Sequence, residues 1–166
     1  MPKLEVFFDY ACPYCLRGHK ILLELLPQYP GIEVEWRPCE AHPRPDRYGR
    51  HSDLCARGMY FAWEQGADLM EYHAIMYRAA LTDCADIEDL CVLSRYVDGL
   101  LDTDAFYDSL ASGAYLDELL ENNRLAWETY SFLAVPSCRM NEQFLKCVED
   151  VGLSKQQLAA FIEQNQ

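Results

Sequence analysis

The spacing of apolar residues changes period three times along this chain. Leu4-Glu5-Val6-Phe7-Phe8 is a short β-branched and aromatic run ending at Asp9-Tyr10, the pattern of a buried strand. Leu16 to Leu26 is amphipathic with helical spacing and is stopped by Pro27 and Pro30. Pro13 suits the first turn of that helix, where a missing N–H costs nothing. Ile32 to Arg37 alternates with period two and predicts a second strand. A strand–helix–strand unit this short implies a parallel pair joined by a right-handed crossover.

Pro38 to Arg50 is rich in Pro and Arg and reads as a loop. From Ser52 to about Glu128 the pattern is helical almost throughout. Ser52 can cap the first helix, with Leu54, Cys55, Met59 and Ala62 on its inner side. Gly66 breaks it, Leu69–Ala80 and Asp86–Leu100 follow, Thr103 caps Asp104–Ser112, and Tyr115–Trp127 completes the run. The period then returns to two. Residues 135–140 and 144–148 predict two strands around a turn at Asn141-Glu142, and Ser154 caps a last helix with Leu158, Phe161 and Ile162 inward. The order β-α-β, helical insertion, β-β-α is that of an α/β fold. No linker separates the insertion, so it is expected to pack against the sheet.

Composition sharpens this picture. A chain of 166 residues that is 51% hydrophobic can build its own core. The formal net charge of −13 falls wholly on residues 61–166, because residues 1–60 hold eight basic and eight acidic side chains. Such a surface repels phosphate backbones, so nucleic acid is not an expected partner. No apolar run reaches the length of a membrane span, so no membrane partner is expected either. The first residues lack the pattern of a secretory signal, which leads to an expectation of cytoplasmic location. Eight cysteines are then expected to be mostly free thiols. Cys39, Cys55, Cys84, Cys91, Cys138 and Cys147 read as small buried hydrophobes. If the hairpin turns at Asn141-Glu142, however, Cys138 and Cys147 become diagonal neighbours on one sheet face.

The candidate chemistry lies in Cys12-Pro13-Tyr14-Cys15, where the first strand enters the first helix. Cys12 sits at the helix N-terminus, where unpaired N–H groups and the macrodipole favour a thiolate. Cys15 lies one turn on, facing inward, so one thiol can attack and the other resolve the mixed disulfide. The same spacing is half of a zinc knuckle, but no second C-x-x-C exists and the nearest extra donors are Cys39 and His42. No metal site is assigned. Pro136 is unusual at a strand start, since it removes a ladder donor.

With these motifs in place, the chain resembles the DsbA-like thioredoxin superfamily, and within it the cytoplasmic FrnE-like branch, which is similar to 2-hydroxychromene-2-carboxylate isomerases. The likeness rests on residues 4–15, on Glu35-Trp36-Arg37-Pro38 with His42-Pro43, on Met76 to Ala80 with Asp86-Ile87, and on Ala134 to Ser137. It implies a thioredoxin-like domain from residues 1–51 and 129–166 with an inserted helical domain at 52–128. It implies a thiol–disulfide oxidoreductase in which Cys12 attacks, Cys15 resolves, and Pro136 is a cis-proline facing them. Pro13, Tyr14, Val135 and Pro136 would contact the substrate, the Val135 backbone pairing with an extended segment. Partners would be disulfide- or thiol-containing proteins or small molecules. No cofactor is implied beyond the Cys12–Cys15 disulfide, with glutathione as a candidate co-substrate. The isomerase relatives carry serine for the first cysteine and use bound glutathione, so Cys12 argues against isomerisation. The alternatives are a glutathione-dependent transferase or isomerase on this fold, and a metal- or partner-binding module.

Three positions depart from the family pattern. Val6 stands where exported relatives and thioredoxins have an acid on the first strand, which leaves Asp9 as the candidate proton acceptor for Cys15. The Pro-Tyr spacer is that of glutaredoxins and implies a potential of roughly −200 to −230 mV. Ser131 and Ala134 occupy places where the family often has glycine.

Overall fold

Strand β1 (Lys3–Phe8) is buried on both faces from Leu4 onward and therefore takes the interior of the sheet. The computed structural model describes residues 2–166. Helix α1 (Pro13–Leu25) returns the chain to β2 (Glu33–Pro38), which pairs with β1 in parallel, Leu4 opposite Val34 and Phe8 opposite Pro38. After the helical region, β3 (Ser137–Met140) runs antiparallel to β1 and β4 (Gln143–Leu145) antiparallel to β3. The order across the sheet is β2-β1-β3-β4. Helix α7 (Lys155–Asn165) closes the chain against α1. This is the expected α/β thioredoxin-like arrangement, β-α-β, helical insertion, β-β-α.

Between β2 and β3 lie α2 (Asp53–Glu64), α3 (Leu69–Tyr77), α4 (Leu90–Tyr96), α5 (Thr103–Ala111) and α6 (Leu116–Asn123). Helices α3 and α6 each run on into a short π-helical stretch, at Arg78–Thr82 and Arg124–Thr129. The helix expected over Asp86–Leu100 is shorter, because Asp89 caps it by accepting the N–H groups of Cys91 and Val92. Asp102, not Thr103, caps α5 by accepting the Ala105 N–H. Ser52 occupies the expected cap position of α2 without a side-chain cap bond.

The final strands are also shorter than their apolar runs. Val135 and Pro136 precede β3, and β4 ends at Leu145. Their turn is as expected: Asn141 and Glu142 both adopt left-handed φ, the requirement of a tight two-residue hairpin. Met140 accordingly pairs with Gln143 and Cys138 with Leu145. Ser154 and Gln157 form a reciprocal capping box at α7.

Polar groups, as well as packing, tie the strands to one another and the helical region to the sheet. Glu5 is buried on β1 and accepts from Arg37 of β2, at 3.2 and 3.1 Å, and from Arg139 of β3 at 2.7 Å. Asn122 of α6 donates to the Pro38 carbonyl at 3.0 Å. On the opposite face, α3 brings His73 and Tyr77 against His19 of α1, Trp36 of β2 and Phe8 of β1, with the His19 and His73 ring centroids 5.3 Å apart. Burial lowers the His19 pKa to about 4; burial, with the His19 charge second, lowers that of His73 to about 3. Four of the six cysteines outside the motif are buried as expected; Cys84 and Cys91 are exposed. Cys84 has φ +48°, outside any helix, so it shares no helical face with Cys91.

Two outcomes follow for stability. A Cβ on Gly58 of α2 would collide with the Tyr72 hydroxyl and meet the Phe106 ring at 2.7 Å, both fully buried. Overpacking costs about 1–3 kcal/mol, more than the gain of about 1 kcal/mol in helix propensity. Gly58→Ala should therefore lower the urea midpoint, and an unchanged or higher midpoint would contradict this packing. The buried imidazoles act through pH. Both are neutral when folded and bind protons below about pH 6.5 when unfolded, so stability falls as pH drops from 6.5. Each costs about 1.4 kcal/mol per pH unit in that window. Asp9 and Glu40, raised by burial, act in the opposite sense, in the interval between their unfolded and folded pKa values. Urea midpoints compared at pH 7.5 and 5 should show a clear loss in the wild type and a smaller one in His73→Gln; equal losses would refute the assignment.

Candidate active site

The site begins where β1 stops. Asp9 is buried, and its Oδ1 accepts the Ala11 N–H at 2.8 Å while Oδ2 accepts the Ala41 N–H at 2.9 Å. Burial raises its carboxyl above the usual range despite these bonds and the Ser52 hydroxyl beside it. The Asp9 carbonyl accepts the Cys12 N–H at 3.0 Å, and the Asp9 N–H donates to Cys15 Sγ at 3.4 Å. Cys12 is the N-cap residue of α1, in extended conformation, and Pro13 stands in the first turn as the pattern predicts.

The two thiols differ. Cys12 is half-buried and its pKa is lowered, first by a hydrogen bond from Cys15 and then by the N–H groups of Cys15 and Tyr14. Cys15 is 1% exposed, and burial pushes its thiol well above the ordinary value. The pair can therefore present one accessible sulfur that ionises easily and one inward sulfur that keeps its proton.

Cys12 Sγ lies 3.7 Å from the Val135 carbonyl, across from the loop before β3. The Val135–Pro136 peptide bond is cis, as is Arg44–Pro45. Pro136 is buried and packs on α1 at Gly18, where a Cβ would meet its Cγ at 3.0 Å. Ser131, at one of the positions where glycine was expected, adopts φ +54° and so keeps the left-handed conformation without it.

Cys12, Pro13, Tyr14 and Val135 share the wall of a cleft of about 790 Å³. Pro136 is on the far side of that wall. The cleft takes in groups that spacing did not single out: Trp127 and Leu133 supply apolar surface, Arg50, Glu149 and Asp150 charge. Leu133 is 87% exposed within the cleft that Cys12 also lines. Trp127 is fixed by donating Nε1–H to the Glu40 carbonyl at 2.9 Å. His42, named above as a nearby donor and as part of the resemblance, lines the same cleft. Among the described residues, no group of three or more His, Cys, Asp or Glu gathers as a metal site. No helix among them is long and apolar enough to cross a membrane.

The chain is similar in structure to a probable DsbA oxidoreductase from Streptomyces coelicolor, with 18% identity, a TM-score of 0.79, and 99% of this chain and 90% of that one covered. A thioredoxin-like oxidoreductase from Silicibacter pomeroyi is 21% identical with a TM-score of 0.73, covering 98% and 85%. Oxidised BdbD from Bacillus subtilis is 15% identical with a TM-score of 0.71, covering 99% and 86%. These likenesses establish the fold. No curated protein matches the sequence. The family model of the DSBA-like thioredoxin domain matches residues 3–132, from β1 through the whole helical region. With the strand order and the strand-to-helix cysteine pair already described, the chain belongs to the DSBA-like thioredoxin domain family.

Proposed function

We propose that this protein is a thiol–disulfide oxidoreductase in which Cys12 attacks a substrate disulfide and Cys15 resolves the mixed disulfide that forms. The observation that carries this reading is the contrast between the two sulfurs: Cys12 opens onto the cleft with a lowered pKa, and Cys15 is buried one turn behind with a raised one. The nucleophile is a thiolate, so this contrast sets the order of attack. The Val135 backbone, whose carbonyl lies 3.7 Å from Cys12 Sγ, would pair with an extended substrate segment. Partners are then disulfide- or thiol-containing proteins or small molecules, with glutathione as candidate co-substrate and no further cofactor. The setting we assign is a reducing one, the cytoplasm, because the exposed thiols of Cys84 and Cys91 would be oxidised elsewhere. The Cys-Pro-Tyr-Cys spacer, shared with glutaredoxins, makes a moderate couple the expectation, within the FrnE-like branch that the motifs resemble.

The reading is checked with a fluorescent disulfide substrate and an excess of reduced glutathione. Cys12→Ser should abolish turnover, while Cys15→Ser mixed with the substrate alone, without glutathione, should accumulate a mixed disulfide at Cys12 detectable by intact mass. Full turnover by Cys12→Ser would overturn the proposal.

A further inference from the structure

Cys12 and Cys15 open onto different spaces. Cys12 shares the large cleft with Asp9. Cys15 instead lines a small cavity of about 10 Å³ on the other side of α1's first turn. Such a volume holds about one water molecule. Resolution requires the Cys15 proton to leave a thiol with almost no exposure to solvent. Where that proton goes is a question of which groups share the cavity.

Val6 lines it and carries no polar atom. Asp9, the candidate from sequence, does not reach it. Both its oxygens are engaged by Ala11 and Ala41, and the residue borders the cleft. Only Cys15, His19, Tyr77 and Cys138 on the cavity wall can titrate. β1 contributes Val6 and Phe8, β2 contributes Trp36, and α7 contributes Leu158, none of them charged. Tyr77 and Cys138 are weak acids that burial makes weaker, Cys138 at about 12, so they hold their protons. His19 is the one neutral base, and burial alone keeps it so. It stands four residues after Cys15, on the same face of α1. Behind it lies His73, whose Nδ1 pairs with the Tyr10 hydroxyl at 2.8 Å and whose Nε2 is buried without a partner.

We propose that the His19 imidazole accepts the proton of the Cys15 thiol across this cavity, taking the place of the acid that Val6 removes from the first strand. The inference rests on the dithiol exchange proposed above. With substrate joined to Cys12, the Cys15 S–H bond breaks and its proton passes to His19, directly or through one water. The Cys15 sulfur forms a bond to Cys12 Sγ as the bond from Cys12 to the substrate sulfur breaks. The electron pair leaves with the substrate sulfur, which takes a proton from solvent, and the imidazolium returns its own by way of water. The dithiol is oxidised by two electrons and the substrate disulfide reduced by two. Transfer is concerted with attack, so no buried thiolate–imidazolium pair has to persist. The reverse direction uses the same path.

The test is the reaction of the reduced protein, carrying Cys84→Ser and Cys91→Ser so that no other exposed thiol reacts, with Ellman's reagent in a stopped-flow instrument between pH 5.5 and 8. The first release of coloured thiolate reports Cys12 attack, and the second reports resolution by Cys15. An internal base already neutral over this range makes the second rate nearly independent of pH in the wild type. In His19→Gln, resolution should be about 100-fold slower at pH 7 and should rise about tenfold per pH unit, as the thiolate fraction of a high-pKa thiol does. A purely structural role for His19 would slow the step without creating that slope. A tenfold rise per unit in the wild type, or a wild-type profile in His19→Gln, would overturn the proposal. The wild-type profile decides even where the variant does not fold. Absence of the first phase would instead count against the exchange function itself.

Discussion

The buried carboxylate of Asp9 is the constraint on which the site is built. A carboxylate out of water must be given hydrogen bonds, and here the donors come from two different loops. Its oxygens hold the turn that leads into Cys12 and the turn that follows β2, so the cleft's two walls meet on one side chain. Its own backbone then fixes both sulfurs, the carbonyl through the Cys12 N–H and the N–H through Cys15 Sγ. The same group has an electrostatic cost, since a charged Asp9 opposes a thiolate at Cys12. Burial raises the Asp9 pKa, which lessens that opposition, and the hydrogen bond from Cys15 outweighs what remains.

The helical region completes the site. Asn123 accepts the Glu40 N–H and donates to the Glu40 carboxylate, and Trp127 holds the Glu40 carbonyl, so the end of α6 and its π-helical extension clamp the loop after β2. This places Trp127 on the cleft wall opposite the cysteine motif. The region also contributes α3, whose Tyr77 lines the cavity behind Cys15. The region therefore bounds both spaces, the open one around Cys12 and the small one around Cys15, which makes it more than a cover over the sheet.

What was legible in the sequence is what local chemistry decides. The strand–helix junction at Cys12, the left-handed turn at Asn141-Glu142 and the cap at Ser154 follow from neighbouring residues, and all three are present. The errors arise where several local solutions compete. Asp102 and Thr103 are both good caps, and the aspartate, one residue earlier, takes the Ala105 N–H. Cys84 and Cys91 looked like core because cysteine is commonly buried, but Cys84 follows the π-helical turn in a left-handed conformation that aims it outward. β3 begins after Val135 and β4 stops before Lys146, because Val135 serves the site and Cys147 the core instead of the sheet. The cleft's Trp127, Leu133 and Arg50 come from separated segments, and no spacing rule joins them.

The division of the two thiols between two spaces also separates two demands that conflict in a single one. An attacking thiolate needs donors and access, which the start of α1 and the cleft supply. A resolving thiol has to stay protonated until a substrate is attached, or it would compete for the same disulfide. Burial enforces that restraint on Cys15, and the S–H retained there is the donor that stabilises the Cys12 thiolate. Resolution must then undo the burial's effect at one moment only. A base sharing the small cavity and uncharged until then meets that demand without exposing Cys15 to the cleft.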